Sequence, residues 1–382
     1  MRAHRRVFLA TILLASLGRA AELAAQGASG AAARSYAPSR GAGFSIEYGA
    51  GYKLVEVRRP WPGAVRGFRY LLYPRGAAKP KGIACDAAFA LPLRRVATFS
   101  TTYIPPIVAI GEAASVVGVD AAGFVNSPEI RSRIAAGETV EVSRNWAPDI
   151  ERLVSLDLDA IFAYGMGNQW DIHPKLAEAG LPIIVSGEWN EPDPLARAEW
   201  IVFMAAFYDK EEVAKAYFGK VAAEYLRVKA LAAATRERPA VLVNGPFQGT
   251  WSVSGGGSYM ARFIADAGGS YLWADDAGTG GLTLSVEAVY ARALKAEVWL
   301  NPNLTAVALG DLAALDPRFS SLPVAASGRV WNDNLRVGPG GGNDYFESAV
   351  LNPHEVLADL AEIFHPGLLP GRKMAYYRKL SR

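Results

Sequence analysis

Side chains suited to recognising a small molecule gather in four stretches of this 382-residue chain. Thr101-Thr102-Tyr103 is the first, and Tyr164 leads into the second, residues 165–170 (GMGNQW), which bring Asn168 and Trp170. Residues 247–259 (FQGTWSVSGGGSY) bring Trp251 and Tyr259, and residues 332–345 bring Asn332, Asn334, Arg336, Asn343 and Tyr345. Each stretch follows a short apolar run of strand length, and loops beyond strand ends are where α/β sheets bind ligands. Aromatic rings there stack on a flat or aryl-bearing ligand, while amides donate and accept hydrogen bonds. Arg336 is the cation of choice for a carboxylate or catecholate, because a guanidinium forks onto paired oxygens. For any one Trp or Tyr the competing reading is core packing.

Other chemistries find less support. Gly255-Gly256-Gly257-Ser258 precedes a helical pattern and could offer backbone N–H groups to an anion, but it lacks the lysine of a nucleotide-binding loop. His173, His354 and His365 never fall at the i, i+4 spacing of a helical metal pair; only His173, just past residues 165–170, sits where it could reach a ligand. The single cysteine, Cys85, excludes an intramolecular disulfide and a thiolate cluster. There is no Gly-x-Ser-x-Gly elbow, no His-Glu-x-x-His and no activated-cysteine pattern, and the acidic pairs Asp157/Asp159 and Asp275-Asp276 read as loop and helix-end polarity. The expectation is a protein that is not an enzyme and carries no resident cofactor.

The elements that must position these loops follow from pattern and punctuation. Residues 1–26 read as an export signal, with a basic start, an apolar run over 7–18 and Arg5-Arg6 resembling a twin-arginine motif. No cysteine lies near a cleavage point, so a soluble periplasmic protein is expected rather than a lipoprotein. Residues 27–43 read as a flexible leader and 44–94 as a β-rich extension with strands at 44–47, 53–57 and 68–73. In 95–205 a strand at 96–100, a helix at 107–116, a helix at 149–155, a strand at 160–163, a helix at 175–179 and a strand at 182–185 make an α/β lobe. Residues 206–236 have almost no turn signal, and apolar spacing predicts one helix over 209–234. Residues 237–382 repeat the alternation as a second lobe. The fold class expected is therefore α/β: two Rossmann-like lobes joined by one long α-helix, with an N-terminal β-rich extension. A net charge of +3, largely contributed by the arginine-rich start, and the lack of a basic run with interleaved aromatics argue against nucleic-acid binding.

The segments 95–120, 148–163 (PDIERLVSLDLDAIFA), 284–300 (LSVEAVYARALKAEVWL) and 322–331 (LPVAASGRVW), in this order around a long central helix, resemble the periplasmic binding proteins of iron-siderophore, haem and cobalamin importers. The resemblance spans about 95–364. It implies a monomer that holds a chelated metal, iron first, between two lobes with little hinge motion. It also implies delivery to the transmembrane permease of an ABC importer, with Glu151 and Glu287 as one exposed docking carboxylate per lobe. Both glutamates also lie in the first turn of a helix, where an acidic side chain stabilises the dipole by ~0.3–1 kcal/mol in any protein.

Overall fold

The computed structural model describes residues 34–382, so the expected signal and residues 27–33 of the leader lie outside the described residues. Five strands, Arg34–Tyr36, Phe44–Gly49, Tyr52–Val57, Phe68–Pro74 and Ala87–Leu91, form a sheet in chain order. The first four pair antiparallel and the last joins parallel. Arg34–Tyr36 falls in the stretch expected to be a loose leader. It is ordered by pairing with residues 46–48 and by Tyr36, whose hydroxyl donates to Glu199 Oε1 at 2.8 Å. Strand alternation turns Phe44, Ile46, Val55, Val57, Tyr70 and Leu72 inward, into a core shared with the first lobe.

The first-lobe sheet is parallel, in the order Ile183–Ser186, Ala160–Tyr164, Val96–Thr98, Val116–Val119, Val140–Glu141. One expectation fails here. The helix placed at 107–116 is Ile104–Ala109, with both prolines in its first turn, where proline is tolerated. Gly111, at φ 83°, stops it, and the β-branched run at 116–119 becomes a strand buried between two neighbours. A short apolar run fits either element by period, and burial between strands decides it.

Between the two sheets lies Ile201–Ala206, a helix buried on every side, as expected of one apolar all round. Phe207 beyond it meets Phe89 of the N-terminal sheet and Phe162 of the first-lobe sheet at 5.8 Å each. Tyr70 closes the open edge of the first-lobe sheet: its hydroxyl accepts from Val185 N–H at 2.7 Å and donates to the Val185 carbonyl at 3.3 Å. The extension is thus a second wall of the first lobe.

The second lobe repeats the plan. Its sheet runs Ser270–Tyr271, Ala240–Val243, Val298–Leu300, Val330–Asn332, all parallel, closed by antiparallel Arg378–Lys379. It has its own core, which includes Trp251, Trp299 and Phe319. Glu211–Ala233 joins the lobes. At 1.5 Å per residue this rod is about 34 Å long. It begins two residues later than the 209 expected, because Asp209 takes φ 56° and Lys53 of the N-terminal sheet pins the start through Asp209 at 2.7 Å and Glu211 at 2.6 Å. Ala214 packs into the first core, whereas Val221, Tyr225, Val228 and Ala232 pack into the second, so most of the rod leans on the second lobe. Among the described residues no helix is long and apolar enough to cross a membrane.

Candidate functional site

In each sheet the strand order reverses at one point: between Val96–Thr98 and Ala160–Tyr164 in the first lobe, and between Ala240–Val243 and Val298–Leu300 in the second. Loops beyond such points diverge and leave a crevice. Here both crevices open into one cleft of about 960 Å³, lined by Ser100, Thr101, Thr102 and Trp189 from the first lobe and by Asn244, Asn301, Asn303 and Asn332 from the second. A side chamber of about 330 Å³ continues along Tyr164 and Phe124.

The lining is apolar at the rim and polar at the floor. Phe247, Leu304, Phe346, Tyr164 and Phe124 all line these two spaces and are all substantially exposed, Phe247 by 75% and Leu304 by 70%. Large apolar side chains left open around one concavity mark a surface awaiting an occupant. Two charged side chains line the larger space, Arg197 and Asp333. Arg197, on helix Pro194–Glu199, lies over the Tyr259 ring at 4.7 Å; it makes no ion pair among the described residues, and its Nε is buried without a hydrogen-bond partner. Asp333, at the end of Val330–Asn332, is 3% exposed and accepts from Asn343 Nδ2 at 3.1 Å. Burial pushes its carboxyl up to about 6, against that donation.

Of the residues expected from sequence, Tyr164, Tyr259 and Tyr345 do line the cleft or its side chamber, as do Asn332 and Asn343. The others do not. Tyr103 is 2% exposed and packs on Phe162 in the first core. Trp251 is fully buried against Trp299, its Nε1 donating to the Val243 carbonyl at 3.2 Å. Asn334 lies outside the lining: its Nδ2 donates to the Leu304 and Ala306 carbonyls, while its Oδ1 is buried without a donor. Asn168 and Trp170 stand exposed outside the cleft, with the Asn168 side chain accepting from Trp170 N–H at 2.9 Å. His173 rests between Trp61 and Phe68 of the extension rather than at the cleft. Gly255 and Gly257 donate their N–H groups to Gly280 and Gly278 carbonyls, which leaves no cradle for an anion, and Ser258 caps the following helix.

Arg336 is the clearest correction. It pairs with Asp344 at 2.6 Å and lies over Tyr376 at 4.5 Å, in a separate groove where the lobes are fastened. The fastener is a strap, residues 336–347. Glu347, 1% exposed, crosses to the first lobe and accepts N–H from Asn126 on one oxygen and Ser127 on the other, both at 2.7 Å. Those N–H groups stand at the start of helix Pro128–Ala135, where such donors otherwise lack partners. A Cβ on Gly340 or Gly342 would lie 2.1 Å from the carbonyl oxygen of Gly123 or Phe124, so only glycine lets the strap approach. Sequence reasoning missed Arg197 because it sits inside a helix. The available sign was Asp193-Pro194, a helix start just past the strand at 182–185 and so at the cleft end of the sheet.

Glu151 and Glu287 occupy matching places. Each is exposed in the first turn of a capped helix, Ile150–Ser155 behind Asp149 and Val286–Ala293 behind Ser285. Glu287 meets Arg318 at 3.2 Å; its carboxyl is held below the usual range by its own backbone N–H and then by Arg318.

A sequence profile described as periplasmic binding protein matches residues 96–333, from the first strand of the first lobe to the cleft acid Asp333. The chain belongs to that family. Among relatives of this periplasmic binding protein, one uncharacterized lipoprotein of Methanocaldococcus jannaschii is 31% identical over 298 residues, 76% of this chain and 69% of the relative. Another is 24% identical over 325 residues, 80% and 78% of the two chains. Among solved structures, a periplasmic heme binding protein from Pseudomonas aeruginosa superposes with a TM-score of 0.58 at 19% identity, covering 76% of this chain and 99% of that one. An ABC-type Fe3+-hydroxamate transport protein from Saccharomonospora viridis gives 0.53 at 14%, covering 72% and 94%. At these identities the structural likeness speaks for the fold: two lobes joined by a long helix. The β-rich residues 34–94 precede the matched stretch.

Proposed function

We propose that this periplasmic binding protein captures a metal chelate, a ferric siderophore first, in the interlobe cleft and delivers it to the permease of an ABC importer. The observation that carries this reading is the cleft itself: about 960 Å³, rimmed by exposed apolar side chains from both lobes, with the Arg197 guanidinium, which has no ion pair among the described residues, inside. A guanidinium over an aromatic face suits the paired oxygens of a hydroxamate, catecholate or carboxylate. Among the described residues no three His, Cys, Asp or Glu side chains gather as a bare metal ion would need, so the metal is read as arriving wrapped.

Haem and cobalamin are the alternatives within the same class. Haem held by a tyrosine calls for a phenolate-like ligand. Tyr164 is pushed up by burial and then by Asp120 and Asp171, Tyr259 is pushed up by burial, and Tyr345 is pushed well up by burial. Burial thus keeps all three cleft phenols neutral, as hydroxyls able to hydrogen-bond a ligand's periphery. The family and its structural neighbours are substrate-binding proteins, and the proposed role involves no bond-making step.

Docking would use Glu151 and Glu287, two carboxylates held at a fixed separation by the rod, as an electrostatic register for arginines on the permease. Reversing both to Lys should abolish import in whole cells while the affinity for ligand stays within about threefold. Import at the wild-type rate would remove them from the docking surface, and a large loss of affinity would place them in the cleft.

A further inference from the structure

The floor of the cleft on the second-lobe side offers acceptors. Asn332 spends its amide nitrogen on the Asn303 and Ala306 carbonyls, and its Oδ1 is buried with no donor. Asn301 Oδ1 is buried with no donor within hydrogen-bond distance among the described residues, the Tyr377 hydroxyl being its near neighbour. Asp333, next in the chain to Asn332, also lines the cleft; it is buried, accepts from the Asn343 amide, and has no cation paired to it among the described residues. Buried acceptors without donors are uncommon, because each forfeits about 1–3 kcal/mol of solvation. A buried carboxylate without a cation is less common still. Asp333 caps no helix, whereas the buried acid Asp359 of the same lobe receives Arg372 and three backbone N–H groups.

We propose that Asp333, the acidic side chain that lines the cleft, is an ammonium subsite: it receives a protonated amine on the periphery of the bound chelate. The inference rests on the chelate reading above and narrows it. The cargo would carry anionic oxygens toward Arg197 and a cationic nitrogen toward Asp333. The titratable neighbours of Asp333 are Tyr345 and Tyr377, both phenols held neutral by burial, so Asp333 is the group there that changes charge near neutrality. Burial pushes its carboxyl up to about 6, so the subsite is fully anionic above that pH and is lost as the pH falls through it.

The test uses two probes: a ferric trihydroxamate ending in a free ammonium, and the same chelate with that nitrogen acetylated. Wild-type protein at about pH 8 should bind the ammonium form about 10- to 100-fold more tightly, the range of one charge-assisted hydrogen bond. Asp333→Asn should bring the two dissociation constants together, by weakening the ammonium form rather than by tightening the acetylated one. The preference of the wild type should fade as the pH is lowered through about 6, which needs no variant. Equal binding of both probes by the wild type overturns the subsite and leaves the chelate reading standing. A preference that survives in Asp333→Asn, or that ignores pH, also overturns it. Failure of both probes to bind sinks the hydroxamate form of the chelate reading and the subsite with it, whereas failure of the acetylated probe alone is the preference at its limit and supports the subsite.

Discussion

The lobes meet in two places, and their charged groups are treated in opposite ways. At the strap, Glu347 has both oxygens occupied by backbone N–H groups of the other lobe, and Arg336 is answered by Asp344. Across the open cleft Arg197 and Asp333 have no ionic partner among the described residues, and aromatic side chains stand in solvent. Both junctions join the same two bodies. The strap resembles a folded interior, where polar groups are satisfied, and the cleft resembles half of an interface. The difference marks which junction is structure and which is site. It also explains why the sequence reading misjudged Arg336: an arginine in a loop after a strand fits either, and only its partner decides.

Variants can break or sharpen this contrast. Trp251→Ala should have the largest effect, a loss of about 3–5 kcal/mol in chemical denaturation, because Trp251 fills the second core against Trp299 and Phe319. A well-folded variant with weakened ligand binding would return Trp251 to the cleft. Glu347→Ala should remove about 2–4 kcal/mol by orphaning two N–H groups. The strap also carries a pH signature. The Glu347 carboxyl is pushed up to about 7, chiefly by burial, from 4.5 when unfolded. Between those values the folded state holds more protons, so this group's contribution is full below the unfolded value and is lost as the pH rises through about 7. Stability of the wild type relative to Glu347→Gln should therefore fall across that window in denaturation curves taken at a series of pH values; a flat difference would mean that burial does not dominate there.

On the cleft side, Arg197→Ala should weaken ligand binding by about 10- to 100-fold while changing stability by less than about 1 kcal/mol. If stability falls and affinity holds, Arg197 belongs with Glu347 and the contrast fails.

The two lobes and the rod were legible because alternation, glycine stops and a long turn-free stretch are local signals. Tyr164, Tyr259 and Tyr345 were legible because they follow strand ends. What was hidden depends on partners distant in sequence. The strand Arg34–Tyr36 sits in an Ala, Gly and Ser-rich stretch and is ordered by residues 46–48 and Glu199. Trp251 lies in a loop-like sequence yet turns into the core, because the strand Thr250–Ser254 pairs with Gly281–Ser285 and alternates inward at Trp251 and Val253. Arg197 and Asp333 follow ordinary helix and strand patterns, and their significance lies in having no ionic partner, which no local pattern records.

The central claim, that the open junction holds a whole chelate, is tested most directly by native mass spectrometry of the protein purified from its own cell envelope, with metal analysis of the same sample. One added mass per chain is expected, an organic chelator together with its metal, at lower occupancy in Arg197→Ala. A metal ion bound without organic mass, or a metal-free organic ligand, would contradict it.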